Sequence, residues 1–314
     1  MRSLTQSRPG GASLRQARRK IGWLAGSVGV CAAAVTLICG CGSAASSSGA
    51  ASPGTASSGT ASSGTARTMT AEQAISMAAR TSQQISSAST SIAIKVTGPA
   101  TETTSGHLQL QLKPSLAMSA TLSVTANGKT LPVKEVLANK AVYVNVPGVS
   151  QLTGKPWLEI SFAQLSGKLG ADFEQLLESM QNGDPLNQTQ LFAASKNVRA
   201  TGTQTINGVP TARYSGSYSA SSARAALSPG LRKLMSPGLN ALTGDVQFTV
   251  WIDGQHHVRR MVEVEHVNGA TVSSTMDITA INQPVRITTP PASQVAPLSQ
   301  RMLSGSGSSG SGVL

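Results

Sequence analysis

Aromatic residues make up only 3% of this 314-residue chain, and charged residues only 12%. A nucleic-acid surface needs clustered cations, usually with aromatic rings on which bases stack. The net charge of +12 does not supply them, because six of the 25 basic residues (Arg2, Arg8, Arg15, Arg18, Arg19 and Lys20) precede an apolar run near the N-terminus. The rest, 19 basic against 13 acidic residues, are scattered singly apart from Arg232-Lys233 and Arg259-Arg260. No nucleic-acid partner is expected, only a mildly basic, solvated surface able to face anionic headgroups.

Catalytic signatures are also scarce. No G-x-S-x-G elbow leads from a strand into a helix, and no glycine loop of the phosphate-binding kind is present. His107, His256, His257 and His266 are the four histidines. Neighbours on a strand point to opposite faces, so His256 and His257 are poorly placed to hold one ion. Glu263 and Glu265 share a strand face with Met261, and that face is assigned to solvent because Val262 and Val264 take the other. A like-charged pair there reads as a solvated rim, not a catalytic dyad. The chain is therefore read as a non-enzyme without metal or cofactor.

What is present begins with a cationic stretch, Arg15 to Lys20, followed by an apolar one, Ile21 to Ile38, rich in Gly and Ala. That layout is a signal peptide, although the run is also just long enough to span a bilayer. Ile38-Cys39-Gly40-Cys41 resembles the bacterial lipobox: an aliphatic residue, two small ones, then the acceptor cysteine. Cys39 is the poorer acceptor, since it would put Thr36, Leu37 and Ile38 in the preceding slots. Cleavage before Cys41 discards Cys31 and Cys39, leaving one cysteine and no internal disulfide. Residues 1–40 are thus expected to be a lipoprotein signal peptide, with Cys41 lipidated and the protein anchored at the outer face of the cytoplasmic membrane. An Arg18-Arg19 pair resembles twin-arginine signals, but the rest of that motif is missing, which favours the Sec route.

Residues 41–67 carry the lipidated cysteine and a Ser/Gly/Ala tether whose flexible span is about 28 Å. Residues 299–314 form a disordered Gly/Ser tail, which leaves a single folded domain over 68–298. Thr70 and Gln73 make a capping-box pattern at the start of a helix running to about Ser87. From Ile92 the apolar period becomes two, through Leu108, Leu110 and Leu112, Met118, Leu122 and Val124, and Val142, Val144 and Val146. Phe162 to Met180 has helical spacing, and a shorter helical stretch follows at 188–195. Strands resume at Val198, with hairpin turns at Asn207-Gly208, Asp253-Gly254 and Asn268-Gly269 matching the earlier one at Asn127-Gly128. Residues 221–242, broken by Pro229-Gly230 and Pro237-Gly238, read as short helices or a loop. The order of helix, strands, helices, strands gives an α+β fold with an antiparallel sheet.

One face of that sheet carries small or flexible aliphatics and few large rings. It is either an ordinary core packed under the helices or a partly unfilled cavity for acyl chains.

Three stretches bear on that choice. "TINGVPTARYSGSY" (205–218), "VQFTVWIDGQHHVRRMVEV" (246–264) and "MDITAINQPVRITTPPASQV" (276–295) resemble segments of the actinobacterial LppX/LprG lipoprotein family. The resemblance implies a strongly curved antiparallel half-barrel, similar to the LolA/LolB carriers, with helices covering its concave mouth. It also implies a lipid or glycolipid ligand carried within the cell envelope. The expected lining residues are Leu110, Leu112, Met118, Leu122, Val144, Phe248, Val250, Val262 and Met276, in a monomer bound to the membrane through Cys41. The alternative is a non-enzymatic envelope interaction or structural lipoprotein whose core is filled.

Overall fold

The computed structural model describes residues 69–99, 101–164, 195, 197–227 and 229–299. Two units divide the chain, Met1–Gly40 and Cys41–Leu314, and every described residue belongs to the second. The expected signal peptide, Cys41, the tether, the C-terminal tail, most of the 162–180 helix and nearly all of 188–195 lie outside the described residues.

Helix α1 (Ala71–Ser82) opens the described chain. Gln73 donates its backbone N–H to Thr70 Oγ1 at 3.2 Å, and Thr70 donates its own to Gln73 Oε1 at 3.0 Å. This reciprocal pair is the expected capping box. The helix stops at Ser82, short of the predicted Ser87, because Ser86 and Ser87 are drawn into sheet contacts. Asn282 Oδ1 accepts from the Ser86 N–H at 2.7 Å, and the Ser87 hydroxyl donates to the Gln283 carbonyl at 2.6 Å.

A first meander follows: β1 (Ser87–Thr97), β2 (Glu102–Gln111), β3 (Ala117–Ala126), β4 (Lys129–Ala138), β5 (Ala141–Asn145), a short helix α2 (Val149–Thr153) and β6 (Trp157–Ser161). Residues 162–164 then turn helical, with Ser161 and Gln164 forming a second capping box. The second meander holds β7 (Arg199–Ile206), β8 (Val209–Tyr218), β9 (Val246–Asp253), β10 (Val258–Val267) and β11 (Ala270–Ile281), with α3 (Ala220–Ala226) and α4 (Pro229–Ala241) between β8 and β9. Pro237 lies inside α4 and does not break it. The last strand, β12 (Val295–Pro297), pairs in parallel with β6.

The twelve strands among the described residues form one sheet in the order β12-β6-β5-β4-β3-β2-β1-β11-β10-β9-β8-β7. It is an open, α+β half-barrel sheet with β7 and β12 as its edges, and the two meanders join where β1 pairs with β11. Asparagine followed by glycine, both at positive φ, turns β3 into β4, β7 into β8 and β10 into β11, as such dipeptides favour.

Helix α1 lies on one face of the sheet. Its Ile75 and Ala78, with Ile85, pack in one core cluster with Phe248, Val250, Met261 and Ile278. On the opposite face a smaller cluster gathers Ala117, Val136 and Ala138 under Tyr143, Trp157 and Ile287. Ile287 belongs to the segment leading from β11 to β12, which is fastened to the far edge by Lys155 Nζ on the Ser293 carbonyl at 2.5 Å and by the Leu298 N–H on the Glu159 carbonyl at 2.8 Å.

Candidate functional site

Residues directly opposite each other on antiparallel strands point to the same side of a sheet, so the register decides which predicted lining residues share a face. Leu110 pairs with Met118, and Met118 with Leu137. Leu122 lies between Gly106 and Val133, and Val144 lies opposite Glu135. Ile92 pairs with Met276, Met276 with Met261, and Met261 with Val250. Counting along the strands joins these rows, so Leu110, Met118, Leu122, Val144, Phe248, Val250 and Met276 occupy one continuous face, the one α1 covers. Leu112, just past the end of β2, packs against the same core cluster.

Val262 is the exception, since it pairs with Thr249 and Thr275 on the other face. Correcting it also corrects the two glutamates. Glu263 pairs with Phe248 and is 6% exposed, so it lies on the covered face and not in solvent. The cause is a register shift between Val258 and Arg260. This bulge inserts one residue into the alternation and puts Val258 and Met261 on the same side. Counting in twos from Val258 therefore assigns Val262 inward and Glu263 outward, each one step wrong.

The covered face is thus not purely apolar. Tyr218, at the end of β8, donates its phenolic O–H to Glu263 Oε1 at 2.9 Å. Burial pushes the Glu263 carboxyl up to about 7; the Tyr218 hydrogen bond opposes the rise and Glu265 adds to it. Burial, and then the Glu263 charge, raises the Tyr218 phenol above its usual range. Glu265 is also raised by burial. Across β11 the Glu263 row continues through Ser274, Ile94 and Thr104, of which Ser274 and Thr104 are buried hydroxyls. The next row leads from Glu265 through Val272 and Val96 to Glu102, whose carboxyl burial likewise raises. Among the described residues, two buried side-chain oxygens have no hydrogen-bond partner, Glu102 Oε1 and Thr90 Oγ1. Thr90 pairs with Leu108 and Ile278 on this same face and is 5% exposed.

The other face has a different character. A recess of about 490 Å³ lies over its middle, lined chiefly by Ser91, Ser105, His107, Thr121, Thr275 and Asp277. Asp277 is held by the Arg260 guanidinium, whose carbon lies 5.9 Å from the Trp251 ring centroid. In the turn after β9, Asp253 accepts from the Gln255 N–H at 2.8 Å, the His257 N–H at 2.9 Å and Arg259 Nε at 2.6 Å. Burial alone would raise that carboxyl, but these bonds hold it below its usual range. His256 sits in this turn at φ 64°, while His266 Nδ1 lies 3.1 Å from Thr271 Oγ1. Among the described residues, no three His, Cys, Asp or Glu side chains converge as a metal would need.

The Tyr218–Glu263 pair escaped the sequence reading. Pairing with Phe248 and Val250 places Glu263 and Met261 inward, and nothing local to the sequence marks the bulge that sets this register.

The family model described as LppX_LprAFG lipoprotein matches residues 184–287. This is the family that the stretches 205–218 and 246–264 resemble, and the third stretch, from residue 276, begins inside the match. No curated protein sequence matches the chain. Among solved structures the chain is similar to the lipoprotein LppX of Mycobacterium tuberculosis, with 20% identity over 69% of this chain and 98% of that one and a TM-score of 0.42. It is similar also to LprF of Mycobacterium bovis, with 17% identity over 70% and 96% of the two chains and a TM-score of 0.45. A LolA superfamily protein of Nitrosomonas europaea is 10% identical over 72% and 97%, with a TM-score of 0.24.

Proposed function

We propose that the chain is an extracytoplasmic lipoprotein, held through Cys41 at the outer face of the cytoplasmic membrane, which binds lipid acyl chains against the covered face of its sheet. The observation that carries this reading is the continuity of one row of that face: aliphatic side chains run in register from Val133 through Leu122, Ile92, Met276 and Met261 to Val250, broken only by Gly106, so extended alkyl chains would meet apolar surface across strand after strand. The family-model match over 184–287 supports it. Binding here needs burial of alkyl surface and no bond-making group, so the protein acts as a carrier, not an enzyme. As a monomer on a tether spanning about 28 Å, it could exchange ligand with the bilayer without leaving it.

A second reading is favoured by one observation. Helix α1 already fills part of the face, packing Ile75 and Ala78 with Val250 and Met261, as in an interaction or structural lipoprotein with a closed core. Native mass spectrometry and lipid extraction of the purified protein separate the two. Co-purifying lipid, or uptake of a fluorescent acyl probe, is the result expected of a carrier; a lipid-free protein that takes up no probe fits the closed core.

Anchoring has its own test. Cys41→Ser is expected to release the protein from the membrane fraction and abolish incorporation of labelled palmitate, whereas Cys39→Ser leaves both unchanged. The reverse pattern would move the anchor to Cys39.

A further inference from the structure

The covered face is mostly apolar, with Glu135 and Thr90 buried among its aliphatic side chains, and it ends in a polar band: Tyr218, Glu263 and Ser274 in adjacent positions and Thr104 beyond Ile94, with Glu265 and Glu102 one row further on. Helix α1 packs toward the opposite end, around Val250, Ile252 and Ile278. Charge is sorted between the two faces in this part of the sheet. Arg213, Arg260 and Lys95 stand in register with Trp251, Asp277 and Ser273 on the far side, and Arg259 is bound to Asp253. Arg224 and Arg232, in the helices that follow Tyr218, donate to Asn240 and to the Leu227 carbonyl. Lys129, in register with Glu102 through Ala126, stands two strands from Glu102 on the covered side and is exposed, several strands away from Glu263. Among the described residues, the titratable groups that act on Glu263 are therefore Tyr218 and Glu265.

Resting on the lipid-carrier reading, we propose that Glu263, supported by Glu265, is a specificity-determining residue that selects ligands whose polar end donates hydrogen bonds and carries no negative charge. The face offers acceptors in excess. In this band Glu102 Oε1 is buried without a partner, a costly state that a donor hydroxyl of the ligand would relieve. An anionic headgroup would meet the Glu263 and Glu265 carboxylates with no cation beside them among the described residues, and desolvated like charges repel strongly. Hydroxyl-rich neutral headgroups, such as those of glycosyl diacylglycerols, satisfy both conditions. Because burial lifts the Glu263 carboxyl to about 7, discrimination against anions should be strong above that pH and fade below it.

The test measures binding of two fluorescent lipids with identical acyl chains, a neutral glucosyl diacylglycerol and an anionic phosphatidylglycerol whose single charge does not change over the range used, to the full-length protein in detergent. At about pH 8 the neutral lipid should bind at least about tenfold more tightly, and at about pH 5.5 the ratio should fall toward one as Glu263 protonates. Glu263→Gln should remove most of the pH dependence of the ratio and leave only the share of Glu265 and Glu102, whereas Tyr218→Phe, which removes the phenol but leaves the carboxyl, should keep the preference for the neutral lipid. Equal binding of both lipids by the wild type at the higher pH, or a ratio unchanged in Glu263→Gln, overturns the proposal and leaves the carrier reading standing. If neither lipid binds at either pH, the carrier reading falls and takes the proposal with it.

Discussion

Phe248→Ala should cost about 3–5 kcal/mol of folding stability, the range for deleting a buried aromatic side chain with partial collapse of the space left behind. Phe248 is 2% exposed, sits opposite Gly216 of β8 and Glu263 of β10, and lies with its ring centroid 6.2 Å from that of Tyr218. The ring lies over β8 because residue 216 has no side chain: a Cβ there would come within 2.7 Å of Phe248 Cζ. The two positions should therefore be coupled. Gly216→Ala alone is destabilising, because the ring must move. In the Phe248→Ala background the same change should cost much less, since the methyl group enters the vacated space and only the Ser195 hydroxyl, 3.1 Å from it, still has to give. Urea denaturation of the four proteins of the cycle measures this, with the midpoint shifting at constant slope. Additive losses would mean that the ring does not lie over Gly216.

The pH dependence of stability provides the second large effect. In the unfolded chain the Glu263 carboxyl titrates near 4.5, and burial lifts it to about 7 in the folded protein. Below both values the group is protonated in both states and contributes no slope. Between them the folded state holds the proton more tightly, so stability falls as pH rises, by about 3 kcal/mol in all; above the folded value the curve levels off. Glu265 and Glu102 are shifted in the same direction, so the wild-type decline should exceed that of Glu263 alone. Glu263→Gln isolates its share. The difference in stability between variant and wild type should change by about 3 kcal/mol from pH 4.5 to pH 7. Parallel curves across that window would show that the carboxyl is not buried as described.

Much of the architecture was legible because it depends on local chemistry. Thr70 and Gln73 are spaced to satisfy two helix N–H groups, and the Asn-Gly dipeptides adopt positive φ at little cost, so the first helix start and three hairpins could be placed. Seven of the nine expected lining residues occupy the covered face itself, since alternation survives wherever a strand is regular. The failures share a physical origin in longer-range structure. Lys129–Ala138 was not read as a strand because Pro132, Lys134 and Glu135 weaken its signal, although β4 is paired on both sides. Trp157–Ser161 is too short to show a period. The bulge at Arg259 inverted the remainder of β10, and with it the roles of Val262 and Glu263. No local pattern announces a bulge of that kind; its position is set by how β9 and β10 meet beyond the Asp253 turn.

The seam between β1 and β11 sets a schedule for folding. Strands β1 to β6 can zip together in the order in which they emerge, but the second edge of β1 has no partner until residue 281 has been made and delivered. Until then a nascent chain presents an open strand edge flanked by Ile92 and Ile94, the kind of surface that recruits other chains. A protein so arranged gains from crossing a membrane unfolded and completing its sheet afterwards in one step, and a chain truncated before β11 would reach its destination with its central strand still unpartnered.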